Sequence, residues 1–100
     1  MPRRVHERLR AKADRLDIWL YIAEDNRPAA DRLIDKIFEV SLMLADYPHS
    51  GRQRPELGNE VRSYPIGSYV VYYVVTPGRI EVLRILHAAR DMKPEMLWED

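Results

Sequence analysis

Apolar positions along this chain change their period once, near residue 60. Before it they recur every three to four residues, the spacing of a helix face; after it they run in blocks of strand length. In the first part Leu9, Ala13, Leu16, Leu20 and Ala23 share one face, and Ile18, Trp19 and Ile22 widen it beyond the roughly 100° stripe of a surface helix. The spacing predicts a helix from about Leu9, with Trp19 in the core and Tyr21 outside the main stripe. Glu24-Asp-Asn-Arg-Pro28 reads as a turn that opens a second helix, because Asn26 has a capping side chain and Pro28 is tolerated only in a first turn. Ala30, Leu33, Ile34, Ile37, Val40 and Leu44 then form a stripe running to about Tyr47, flanked by Phe38, Leu42 and Met43. Two such helices joined by a short loop predict an antiparallel hairpin with more apolar surface than one contact needs.

Pro48, Gly51, Pro55 and Gly58 break regular structure over residues 48–59, so this stretch is expected to be a loop carrying Arg52 and Arg54. Strands are predicted at 61–66, 69–76 and 79–87, separated by Gly67-Ser68 and Pro77-Gly78, as a three-stranded antiparallel meander. The middle strand has almost no polar residue, so it is placed centrally, with the helices on one face and something else partly covering the other. Residues 3–8 are expected to add a short edge strand, and residues 92–100 either a short docked helix or a tail that orders on binding. The expected fold class is α+β, an N-terminal helical hairpin packed on a small antiparallel sheet, in one domain spanning 1–100.

Charge changes this picture through its distribution. Lys and Arg number 16 and Asp and Glu number 16, a balance that argues against a general nucleic-acid binder relying on phosphate neutralisation. Acidic residues concentrate between Asp14 and Asp46, whereas Arg52, Arg54, Arg62, Arg79, Arg84 and Arg90 lie in the second half and can present a local basic face. The absence of cysteine excludes disulfides, thiol nucleophiles and Cys-ligated zinc, and fits a reducing, cytoplasmic setting. The charged start Met1-Pro-Arg-Arg-Val-His-Glu-Arg8 precedes no long apolar run, so neither a signal peptide nor a membrane span is expected. His6, His49 and His87 are scattered, and no zinc-helix spacing, nucleophile elbow, phosphate loop or dinucleotide fingerprint occurs, so no metal or cofactor is expected.

Candidate chemistry gathers where the last strand ends, at Arg84, His87 and Arg90. His87 reads either as a strand-end cap or as a direct contact. For Arg84, between Val82 and Leu86, a structural salt bridge to a helix carboxylate competes with a role at the surface. Trp98 is either a lid on the open sheet face or an anchor for a partner, and Arg52 and Arg54 read as a solvated loop or as a contact.

Asp17-Ile-Trp-Leu-Tyr-Ile-Ala-Glu-Asp-Asn26, Ala30-Asp-Arg-Leu-Ile34, Gly51-Arg-Gln-Arg-Pro-Glu-Leu-Gly58, Val61-Arg-Ser-Tyr-Pro-Ile66 and Ile85-Leu-His-Ala-Ala-Arg-Asp91, in this order and spacing, closely resemble the ParE branch of the ParE/RelE toxin superfamily. The resemblance covers nearly the whole chain. RelE-like members are ribosome-dependent mRNA endonucleases, which need cations around the scissile phosphate and a group to move protons. In that branch a basic residue follows the Tyr that opens the central strand, where this chain has Val70, and lysines are expected near Val61 and Ser63, whereas the only lysines here are Lys12, Lys36 and Lys93. ParE-like members are non-enzymatic inhibitors of DNA gyrase, neutralised by a ParD-like antitoxin. The resemblance therefore implies a bacterial cytoplasmic toxin in a hetero-oligomer with its antitoxin, with no direct DNA binding of its own. Target contact is expected at Arg62, Arg84, His87, Arg90 and Trp98, and antitoxin contact at Tyr21, Ile34, Phe38, Leu42, Arg52 and Arg54. The antitoxin is expected to lay an acidic, apolar segment on the surplus helix surface. An endonuclease built on Arg62, Arg84, His87 and Arg90, and an inactive relic serving only in an operon-regulating complex, remain alternatives.

Overall fold

In a computed structural model that describes residues 4–58 and 60–98, the elements run β1 (Arg4–Glu7), α1 (Leu9–Ala23), α2 (Arg27–Asp46), β2 (Arg52–Gln53), β3 (Arg62–Ile66), β4 (Tyr69–Thr76), β5 (Arg79–His87) and α3 (Pro94–Leu97), with a 3₁₀ turn at Pro55–Leu57. They form one five-stranded sheet in the order β1-β5-β4-β3-β2, with two long helices packed against it. The class is the expected α+β. The meander is present at the expected positions with β4 at its centre, flanked on one side by the expected edge strand, β1, and on the other by β2, which was not expected. β1 pairs parallel to β5, Arg4 opposite Arg79 through Glu7 opposite Val82, and β2 comes from the stretch read as loop, pairing Arg52 with Ser63. Arg3 of the expected edge strand, Asn59 of the expected loop and residues 99–100 of the tail lie outside the described residues.

The start of α2 follows its local chemistry. Asn26 has extended backbone and its Oδ1 accepts from the Ala29 N–H at 3.0 Å, with Pro28 in the first turn. Between the helices and the sheet, Ile18, Ile37, Val40 and Leu44 pack on Val71, Tyr73, Ile80, Val82 and Ile85. The opposite sheet face carries a second cluster, in which Leu57 of the 3₁₀ turn and Leu97 of α3 close over Tyr72, Val74, Leu83 and Leu86. These two short elements are the cover expected on that face, and α3 is docked there.

α1 uses a different face from the one its leucines suggest. Its buried residues are Ala11, Asp14 and Ile18, whereas Leu9, Leu16 and Leu20 are 71%, 57% and 51% exposed. At about 100° per residue the leucine row lies opposite the buried row. The orientation is set by Asp14, which must reach β5. Trp19, expected in the core, is instead half-buried in the seam between the helices, where its Nε1–H donates to Asp31 Oδ1 at 2.8 Å and Arg27 lies over its ring.

Candidate functional site

The carboxy-terminal end of β5 meets α1 at an open groove of about 560 Å³. Asp17, Ile18, Tyr21 and Ile22 of α1 form one wall, and Ser68, Tyr69, His87 and Arg90 the other. Backbone bonds hold the corner in shape: the Ala88 N–H donates to the Ser68 carbonyl at 2.8 Å and the Arg90 N–H to the His87 carbonyl at 3.0 Å. His87 Nδ1 accepts from the Ala89 N–H at 3.0 Å, which in the neutral ring leaves the proton on Nε2, facing outward as a donor. The Tyr69 ring meets the imidazole edge to face at 5.3 Å. Burial, with a smaller contribution from Tyr21, pushes the Tyr69 hydroxyl above its ordinary range, so it stays a neutral donor. His87, Arg90 and Tyr21 are exposed.

Beneath the corner lies a buried ion pair. Arg84 Nε and Nη2 donate to Asp14 Oδ2 and Oδ1 at 2.7 and 3.0 Å, and Arg84 Nη1 donates to the Met96 carbonyl at 3.1 Å. Asp14 Oδ2 also accepts from the Ile85 N–H at 3.0 Å. The topology explains this arrangement. β1 pairs with β5 only as far as Val82, after which the chain turns into α1, so the edge of β5 beyond that point has no strand beside it. Asp14 supplies the missing acceptor. Leu83 is an extra residue on β5, since Tyr73 pairs with Val82 and Tyr72 with Arg84; a bulge of this kind re-aims side chains, here next to Arg84. Arg84 is 3% exposed, so it is not the surface contact expected of it: its guanidinium joins α1, β5 and α3. The helix carboxylate expected as its partner is Asp14. The available signal was an Asp in the same helical row as Ala11 and Ile18.

The remaining expected residues lie apart from this corner. Arg62 sits at the far end of the sheet, opposite Tyr73, where its Nη1 donates to the carbonyls of Gly51 and His49 at 2.9 and 3.3 Å. Arg54 lies nearby, its Nε bonded to Glu56 at 2.8 Å, its Nη1 to Ser63 at 3.2 Å and its guanidinium over the Tyr72 ring. The hydrogen bond with Glu56 raises the Arg54 pKa and lowers that of Glu56. Both arginines line a second cavity of about 380 Å³ with His49, Gln53 and Glu60. Trp98 packs under Arg8 at 5.4 Å and is 37% exposed. Of the five residues expected to meet a target, the structure brings together His87 and Arg90. Of the antitoxin set, Phe38 and Leu42 are exposed and Ile34 half-buried on α2, Arg52 is exposed on β2, and Tyr21 stands across α1 beside His87. Among the described residues, no group of three or more His, Cys, Asp or Glu is placed to hold a metal ion, and no helix is long and apolar enough to cross a membrane.

Residues 8–92 match the family described as ParE toxin of type II toxin-antitoxin system, parDE. Toxin ParE1 of Caulobacter vibrioides is 32% identical over 90 residues, covering 87% of this chain and 91% of that protein. Toxin RelE2 of the same organism is 36% identical over 81 residues, covering 81% and 90%. A structure of the chromosomal ParDE system from P. aeruginosa shares the fold, with a TM-score of 0.70 at 22% identity over 85% of this chain and 95% of that one. The five motifs along the chain, the packing of the helical hairpin on the sheet and these matches converge: this chain belongs to the ParE toxin family of type II toxin-antitoxin systems.

Proposed function

We propose that the toxin arrests growth by binding DNA gyrase through the corner of His87, Arg90 and Tyr21, and that a ParD-like antitoxin neutralises it by covering the helical hairpin. One observation carries the reading: the exposed His87 imidazole and Arg90 guanidinium of the corner are presented on a hydrogen-bonded backbone beside an exposed tyrosine, a combination typical of protein contacts. Such a surface recognises an acidic patch without transferring a group. For the antitoxin, the support is Phe38 and Leu42, 44% and 65% exposed on α2, next to half-buried Ile34. An amphipathic segment of the antitoxin buries them, and its acidic residues pair with Arg52.

His87→Ala combined with Arg90→Ala tests the corner. Both side chains are exposed, so the variant keeps its fold. It is expected to weaken gyrase binding about tenfold or more, to lose growth arrest on induction and to retain the antitoxin complex. Undiminished toxicity removes these residues from the site.

The relationship to a toxin named RelE2 supports a second reading, ribosome-dependent cleavage of messenger RNA, with the outward Nε2 of His87 moving a proton and Arg90 holding phosphate. Cleaved messenger RNA in cells making the toxin, with gyrase unaffected, favours that reading. A relic confined to an operon-regulating complex is distinguished by harmless expression without antitoxin.

A further inference from the structure

Arg54 and Arg62 take no part in the corner of His87 and Arg90, yet the fold brings both to one cavity at the other end of the sheet. Its volume of about 380 Å³ lies in the range of small-molecule sites, and His49, Gln53 and Glu60 share its lining. Both guanidiniums are fixed by the fold itself. Arg54 is held by Glu56, Ser63 and the Tyr72 ring, and Arg62 by the His49 and Gly51 carbonyls. Arg62 spends only Nη1 on those bonds, so the donors on its Nε and Nη2 meet no acceptor among the described residues. These two nitrogens form the side-on fork that grips an oxyanion at two points. Glu60 brings the opposite charge to the same lining, and it does so from a left-handed backbone with φ 59°. Among the described residues it is the one non-glycine with positive φ. Strain of this kind gathers where a side chain is presented to a ligand.

We propose that this cavity binds a nucleoside phosphate, with the phosphate on Arg62 and Arg54 and the ribose hydroxyls on Glu60. A bare anion gains from the arginines but is repelled by Glu60. A ligand with an anion at one end and a pair of hydroxyl donors at the other satisfies both signs of charge, since an ionised carboxylate only accepts. Because the arginines are already held, binding orders few side chains, which lowers its cost. A free nucleotide and the terminal nucleotide of an RNA strand present the same chemistry. The inference does not rest on gyrase being the target.

Calorimetric titration of the full-length toxin, freed of antitoxin, tests this with adenosine monophosphate, its dideoxy analogue, inorganic phosphate and a short RNA ending in a phosphate. Adenosine monophosphate is expected to bind about tenfold or more tighter than the dideoxy analogue or inorganic phosphate, the worth of hydrogen bonds to a charged group. Tighter binding of the RNA assigns the cavity to a strand end, and weaker binding assigns it to free nucleotides. Arg54 and Arg62 also tie their own segment together, so the variants leave them in place. Glu60→Gln is expected to erase most of the preference for the hydroxyls. Gln53→Glu adds a carboxylate to the cavity and is expected to weaken adenosine monophosphate about tenfold. Lys36→Gln, the same change of net charge on α2 outside the cavity, leaves binding unchanged. All three positions are exposed, so folding is preserved and is checked by circular dichroism. Folded wild type that binds no adenosine monophosphate at any accessible concentration overturns the proposal. So does binding that ignores the ribose hydroxyls, or that Gln53→Glu and Lys36→Gln alter equally.

Discussion

Asp14→Ala is expected to lower stability by about 3–5 kcal/mol, because it leaves the Arg84 charge buried without its partner. The same change removes the acceptor from the Ile85 N–H on the uncovered edge of β5, and an unmet buried donor costs about 1–3 kcal/mol by itself. In a domain of this size each kcal/mol corresponds to about 4–8 °C, so the melting point is expected to fall by about 12 °C or more. Asp14→Asn is expected to lie between, since it retains an acceptor for Ile85 but does not neutralise Arg84. Asp14→Leu combined with Arg84→Met, which replaces the pair with apolar groups of similar bulk, is expected to recover part of the loss and to leave the cost of the Ile85 N–H. Thermal melts of these variants check the ordering; an Asp14→Ala protein as stable as wild type shows that the pair is not a structural tie. A functional consequence follows. Loss of toxicity in an Arg84 variant reports unfolding, and only His87 and Arg90 test the surface of the corner.

The connection between α2 and β2 holds its path through Tyr73. Its ring is fully buried, its hydroxyl donates to the Pro48 carbonyl at 2.7 Å and it accepts from the Gly51 N–H at 2.9 Å. A Cβ at Gly51 would overlap the Tyr73 hydroxyl oxygen and press on Cε1 and Cζ. Since the ring is locked in the core, Gly51→Ala is expected to cost about 1–3 kcal/mol as overpacking. Tyr73→Phe leaves a donor and an acceptor unmet and is expected to cost a similar amount. The two differ in their response to pH. Burial pushes the Tyr73 hydroxyl above its ordinary value of 10.0, so the folded state holds the proton more tightly than the unfolded chain. Stability from this group is complete below pH 10 and is lost as pH rises through the raised value. Urea melts at neutral and alkaline pH should show that loss in wild type and Gly51→Ala, and its Tyr73 share should be missing in Tyr73→Phe. Identical alkaline behaviour in all three contradicts the buried, bonded hydroxyl.

The elements that local chemistry specifies were legible in the sequence. Asn26 and Pro28 mark the start of α2, Gly67 and Gly78 mark the turns of the meander, and the unbroken apolar run of β4 marks the centre of the sheet. What could not be read depends on contacts far apart in the chain. The edge strand expected over residues 3–8 is present as β1, but with almost no apolar residues it carries no signal that its neighbour is β5 or that the pairing is parallel. On α1 two rows compete, one rich in leucine and one of small and mixed residues, and hydrophobicity alone selects the wrong one. The choice is made by Asp14, whose partners lie 70 and 71 residues away. The same constraint separates the expected site, since Arg84 is drawn inward by Asp14 while Arg62 is held at the far end of the sheet by the His49 and Gly51 carbonyls.

The measurement that tests the central claim most directly is a supercoiling assay of DNA gyrase with purified, folded toxin, with and without the cognate antitoxin. Inhibition that the antitoxin reverses, and that His87→Ala with Arg90→Ala abolishes, is the predicted result. Undisturbed supercoiling in the presence of folded wild-type toxin contradicts it and directs the search to messenger RNA on the ribosome.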